Sequence, residues 1–429
     1  MKFKKWLSIF STALFISIAL TACSDEEETS TEEKGSSDKK VEITYARGVD
    51  STGSTEKLIK AFEKKHPNIK VNYQEMPNSS TQQHDQYVTA FSSKSGEIDV
   101  FDADVVWPAE FAQANYAMEL DRFIDQDKIN LDEYFSGTVE AGKFEGKQWA
   151  MPKYSDAGIL YYRTDLVGEP PKTWDELIEM AKEGSGKEGT SSGFVFQAKQ
   201  YEGIVVNAME FIASYGGKII DENNEVVINS PEAKKGLSKM VEIANADFMP
   251  NNILTFSETE TESAFNEGQT VFARNWPYMA KTAADKSTSK VAGTFAFTSL
   301  PAGDAGSAST LGGYMAMINR YTDHPKEAWK FVKFMTSAEG QKISATEGGR
   351  APTLKALYDD KDVQNAAPVF KEKSFVETLE NAVPRPVTPN YQKISDILQI
   401  EISKALTKDS TVDEAIENME SKMKAALKE

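Results

Sequence analysis

The sequence predicts an α/β protein of two domains. Three observations carry that reading: predicted strands and helices alternate along the chain, the alternation runs over about 390 of 429 residues, and 40% of the residues are hydrophobic. So long a stretch exceeds what one hydrophobic core organises, and a split in two follows. The first unit is a β-α-β: residues 41–45 alternate as a strand, residues 54–65 carry Leu58, Ile59 and Phe62 at helical spacing and stop before Pro67, and Ile69, Val71 and Tyr73 alternate again. Residues 98–101 form a short apolar run suited to a buried parallel strand, and Pro108 can open the helix after it. Thr173-Trp174-Asp175-Glu176 reads as a capping box for a helix through Ala181, residues 328–335 as a densely apolar helix, and 159–162 and 270–273 as strands. In such a fold, ligands sit at the C-terminal ends of strands.

The first 22 residues belong to a different category. Lys2, Lys4 and Lys5 precede an apolar stretch ending in Leu20-Thr21-Ala22-Cys23, the order of charge, apolar core and small residues that marks a secretory signal peptide. Fifteen apolar residues rise about 22 Å as a helix, short of the roughly 30 Å hydrocarbon core. Cys23, the only cysteine, closes a Leu-Thr-Ala-Cys run that resembles a bacterial lipobox, which implies lipidation there, palmitate included, and an anchor on the outer face of the cell membrane. Residues 23–40 are then an acidic tether without apolar side chains to bury, spanning roughly 20–25 Å. Removal of residues 1–22 takes three lysines and moves the formal charge from −18 to −21.

That charge excludes a surface built to neutralise nucleic-acid phosphates. One cysteine closes no intramolecular disulfide, and three histidines (His66, His84, His324) leave little material for a metal cluster, so neither a metal nor a cofactor is expected. Gly184-Ser185-Gly186-Lys187-Glu188-Gly189 satisfies G-x-G-x-x-G, but it follows a helix rather than a strand and reads as a surface loop.

What remains is acidic and aromatic residues together at strand ends. Asp102 and Asp104 follow the 98–101 strand, and Asp104 is the better candidate to project from the sheet edge. It either accepts hydrogen bonds from adjacent hydroxyls or caps the next helix. Tyr154-Ser155-Asp156, between Pro152 and Gly158, occupies a connection where the chain can pass between domains. Trp276-Pro277-Tyr278 places Pro between two rings, which predicts an extended segment with both rings on one side, either facing a ligand or packed in the core. Gly312-Gly313-Tyr314 allows close backbone approach or a turn, and Arg385, between two prolines, is a donor fork or a surface charge.

These residues carry a resemblance. Phe62-Glu63-Lys64-Lys65-His66-Pro67, Asp99-Val100-Phe101, the stretch from Asp156 to Arg163, Lys199-Gln200-Tyr201-Glu202-Gly203, Arg274 to Tyr278, Thr310-Leu311-Gly312-Gly313 and Glu380 to Pro386 occur in one order. From Val41 on, the chain resembles the extracellular sugar-binding lipoproteins of bacterial ABC importers, family 1 solute-binding proteins, and among them the trehalose/maltose-binding branch. The resemblance implies a two-lobed, type II periplasmic-binding-protein-like fold, one lobe formed by 41–152 with 314–358 and the other by 153–313 with 359–429. It implies a monomer that captures an α-glucoside in the cleft between the lobes and hands it to a membrane permease with its cytoplasmic ATPase. By the same resemblance Asp104 and Asp156 bind sugar hydroxyls, Trp276 and Tyr278 stack on the sugar, Gly313 gives a backbone contact, Arg385 is a donor, and Tyr154 and Tyr314 flank the site. Three departures bear on which sugar fits: a short loop, Asp50-Ser51-Thr52-Gly53-Ser54; Gln83 where the branch has arginine; and Tyr314 where it has tryptophan. On this reading Asp104→Ala and Trp276→Ala each remove binding without unfolding the protein. The alternative is a lipid-anchored glycosidase using Asp104 and Asp156, which requires carboxyl groups about 5–5.5 Å or 6.5–9.5 Å apart. A surface scaffold would need no aromatic cleft.

Overall fold

The computed structural model describes residues 40–50, 52–221 and 225–428. The expected signal peptide, Cys23, the expected tether up to residue 39 and Ser51 of the altered loop lie outside the described residues. From Lys40 onward the chain forms one compact unit built on two sheets. Its strands are β1 (Val41–Gly48), β2 (Ile69–Met76), β3 (Val100–Asp104), the small hairpin β4 (Lys143–Phe144) and β5 (Lys147–Gln148), β6 (Met151–Ala157), β7 (Ile159–Arg163), β8 (Ser192–Val195), β9 (Thr270–Asn275), β10 (Phe295–Thr298) and β11 (Leu311–Ile318).

The first sheet has the order β2-β1-β3-β11-β6 and the second β10-β7-β9-β8. The expected β-α-β unit is present: β1 and β2 pair in parallel, joined by the helix Ser54–Lys65, which buries Leu58, Ile59 and Phe62 against them. Phe62 meets Phe331 edge-on at 5.0 Å, so the apolar helix Pro325–Thr336 closes the same face. Thr173 caps the helix Trp174–Gly184 through Glu176 N, while the Glu176 carboxylate accepts from Lys172 N at 2.6 Å, one residue before the position a capping box uses.

Two expectations change. The strand read at 98–101 runs from Val100 to Asp104, because pairing with β11 (Tyr314 opposite Asp104) carries the ladder through both aspartates. Tyr154-Ser155-Asp156 is not a connecting loop but part of β6, held antiparallel to β11 with Gly312 opposite Asp156 and Tyr314 opposite Tyr154. The lobe boundaries expected at 152/153 and 313/314 therefore fall inside β6 and β11. The chain leaves the first sheet at Gly158, between β6 and β7.

A second crossing lies just before β11, where Ser309 and Leu311 exchange backbone hydrogen bonds with Val383 and the Ser309 hydroxyl donates to Gly158 O at 2.7 Å. Near the C-terminus, the helices Tyr391–Thr407 and Val412–Ala426 pack on Glu202–Ser214 and Pro231–Ala244, extending the helical cover of the second sheet. Among the described residues no helix is long and apolar enough to cross a membrane, and no group of histidine and acidic residues is placed to hold a metal.

Candidate functional site

A cavity of about 560 Å³ opens between the two sheets, and all eight residues singled out from the sequence line it: Asp104, Tyr154, Asp156, Trp276, Tyr278, Gly313, Tyr314 and Arg385. Strand register explains three of these positions. Asp104 on β3, Tyr314 on β11 and Tyr154 on β6 are direct cross-strand partners, so their side chains emerge on the same face. The two tyrosine rings lie 5.7 Å apart, tilted by 31°. Gly313, next to Tyr314 and opposite Ser155, has φ 113°, a backbone conformation that an L side chain rarely adopts, and a Cβ there would fall 2.9 Å from Ser155 Cα.

The opposite wall is built by helix starts and a turn. Trp276-Pro277-Tyr278 is not extended: Met279 N donates to Trp276 O and Ala280 N to Pro277 O, so the segment is a turn running into the helix Met279–Ala284. The proline φ suits the first turn of a helix as well as an extended chain, and the following apolar residues decide for the helix. Both rings still reach the cavity. The Trp276 indole N–H donates to Glu258 at 3.3 Å and the Tyr278 hydroxyl to Glu262 at 3.2 Å. Glu258 and Glu262 are four apart on the helix Glu258–Asn266 and share its cleft-facing side, the helix start being set by the Ser257–Glu260 capping box.

The carboxylates differ in what they have free. Arg385 is neither a surface charge nor an open donor fork: it is 4% exposed, and it pairs with Asp104 and with Glu202, the latter at 2.7 Å. Glu202 also accepts from the Tyr391 and Ser395 hydroxyls, each at 2.5 Å, while Arg385 Nε is buried without a hydrogen-bond partner. Asp104 therefore supports a buried cation as well as facing the cavity, and its carboxyl is pushed up by burial and Glu202 against the pull of Arg385. Asp104→Ala would leave that cation short of a partner, so it does not isolate ligand contacts as expected from the sequence. Asp156 is pushed up to about 7 by burial, opposed by Arg350 and Arg274, and its Oδ1 meets no protein donor. Asp102, the lesser candidate, is committed: it accepts from Tyr45 and Lys153, both at 2.6 Å, and burial lowers Lys153 to about 8 despite that contact.

Several lining residues were not singled out. Glu202 and Tyr201 stand inside a stretch already noted, Glu258 and Glu262 show only as an i, i+4 acidic pair, and Arg350 follows Gly348-Gly349. Arg350 places its guanidinium 5.1 Å from the ring centres of both Tyr154 and Tyr278, bridging the two walls. Of the departures, Asp50 is consumed locally by hydrogen bonds from Thr52, Ser54 and Thr55; burial opposes its charge, but Arg47 and these bonds hold it well below the usual carboxylate range. Gln83 donates to Pro77 O at 2.8 Å and keeps a buried, unpartnered Oε1 at the cavity. Rings beside acceptors and a few donors suit a ligand with apolar C–H faces and hydroxyl edges.

A family model for bacterial extracellular solute-binding proteins matches residues 48–342. A probable ABC transporter-binding protein of Deinococcus radiodurans is 35% identical over 399 residues, covering 89% of this chain and 93% of that one. Among solved structures, maltose-bound T. maritima MalE3 aligns with a TM-score of 0.85 at 38% identity, over 90% of this chain and 99% of that chain. The maltotriose-binding protein of Pyrococcus abyssi is 25% identical over 290 residues, 66% of this chain and 60% of that protein.

Proposed function

The chain belongs to the bacterial extracellular solute-binding proteins, and from that premise we propose that it captures a trehalose- or maltose-type α-glucoside in the cleft between its sheets. As a sugar-binding protein of an ABC transporter it is a receptor rather than an enzyme, like its family and structural neighbours. The observation that carries the α-glucoside reading is the cleft itself: the cross-strand row of Asp104, Tyr314 and Tyr154 faces Trp276 and Tyr278 over about 560 Å³. A pyranose there can set its C–H face against an indole or phenol while its hydroxyls donate to Asp156 and Asp104. The likeness to maltose-bound MalE3, at 38% identity, supports the same sugar class.

In this reading the lobes are the two sheets with their helices, and the crossings at Gly158 and around Thr310 are the hinge. Sugar favours the closed form by touching both walls at once. The protein works as a monomer, Cys23 carries the lipid that holds it outside the membrane, and the closed form is delivered to the permease. A Cys23→Ser chain should then be shed into the medium; retention on cells would count against the anchor. A thermal-shift panel of trehalose, maltose, maltotriose, longer glucans, sucrose, lactose and glucose tests the ligand, since a sugar at 100 times its Kd adds about 2.7 kcal/mol to folding stability. One or two α-glucosides should raise Tm and survive incubation intact; a response confined to other sugars, or to none, overturns the α-glucoside reading.

A further inference from the structure

Beneath the Trp276 ring lies a buried ion pair that does not line the cavity. Arg274 is 1% exposed on β9 and grips Glu210 with two bonds, Nε to Oε2 at 2.8 Å and the second nitrogen to Oε1 at 2.5 Å, while its third nitrogen donates to Gln197 at 3.0 Å. With each of its three nitrogens bonded, the guanidinium is fixed in orientation, and its carbon sits 4.1 Å from the Trp276 ring centre. The indole edge rests on Gly312, where an added Cβ would come within 2.8 Å of the ring.

The same pair touches both chain crossings. Thr310 N donates to Glu210 Oε1 at 3.3 Å, and a Cβ on Gly158 would fall 2.5 Å from an Arg274 nitrogen. The ion pair therefore has the ring on the face of the guanidinium, Gly158 at the guanidinium's edge and Thr310 on the Glu210 carboxylate.

We propose that Arg274, fixed by Glu210, is a positioning residue for sugar binding: it holds the Trp276 ring from behind and ties its orientation to the backbone of the two crossings. The inference rests on the sugar-receptor reading and adds a link between the crossings and the stacking surface. Mere support of the fold would need neither the stacking on Trp276 nor the contact with Thr310 N.

The test titrates the mature wild-type protein, Arg274→Lys and Glu210→Gln with maltose, each also in a Trp276→Leu background. Lysine keeps the charge but loses the flat, doubly bonded fork, and Glu210→Gln keeps the shape but loses the ion pair. Each single variant should weaken maltose binding about tenfold while folding cooperatively, and the loss should vanish once Trp276 is leucine. An equal loss in both backgrounds, or unchanged affinity in the Trp276 background, overturns the proposal. A second arm needs no sugar: subtracting the emission of each Trp276→Leu partner isolates Trp276 among the five tryptophans left once residues 1–22 are removed. Arg274→Lys and Glu210→Gln should change its acrylamide quenching, and identical quenching in both refutes the link. Because that arm is independent of ligand, failure of wild type to bind maltose counts against the ligand assignment, while the ring measurement still decides the role of Arg274. If Arg274→Lys does not fold, Glu210→Gln alone decides both arms.

Discussion

Asp156 shows what burial does to a single carboxyl. Its ordinary value is 3.8 and burial lifts it to about 7 in the folded protein, so between those values the folded state keeps a proton that the unfolded chain has released. The stability this group contributes is full below about pH 4 and is lost as pH rises towards 7. Asparagine cannot ionise, so the difference in unfolding free energy between Asp156→Asn and wild type should shift in favour of the variant over that window, by about 4 kcal/mol by pH 8. Denaturant titrations at pH 4, 6 and 8 check it, and a difference that does not change with pH would show that the carboxyl is not desolvated. The candidates in the cleft were legible at this scale because each stood at a local marker: an acid after an apolar run, rings around a proline, a double glycine. Arg385 was legible as a residue but not in its role, since its partner Glu202 lies 183 positions away.

At the scale of elements, alternation and capping residues were enough to find the strands and helices, and pairing decided their ends. Nothing in residues 102–104 alone says strand; the partner β11, more than 200 residues later, extends β3 through them. The same partner turns the Tyr154–Asp156 connection into strand β6, and that pairing rather than any loop aims Tyr154 and Asp156 at the cleft. Gly313 is the element-level weak point, at φ 113° with the β6 backbone against it. Gly313→Ala should cost about 1–3 kcal/mol in urea unfolding and weaken sugar binding by displacing Tyr314 from Tyr154. Wild-type stability and affinity in that variant would mean that the β6–β11 contact tolerates a side chain. Residues such as Glu258, Glu262 and Arg350 escaped notice because polar residues at helix starts and in turns leave no periodic signal, and only the meeting of two sheets gives them a shared purpose.

For the whole molecule, length and element order were sufficient for an α/β protein of two parts. They could not show that β6 and β11 both end at the cleft, or that the second sheet offers its aromatic turn across from them. The central claim is that the two walls act together on one sugar. Calorimetric titration of the purified protein with maltose, in wild type and in Trp276→Ala, tests it most directly. Wild type should bind one-to-one, and the variant, its unfolding transition unchanged, should lose at least about 30-fold, roughly 2 kcal/mol. Equal affinity in the two proteins would place the sugar somewhere other than this cleft.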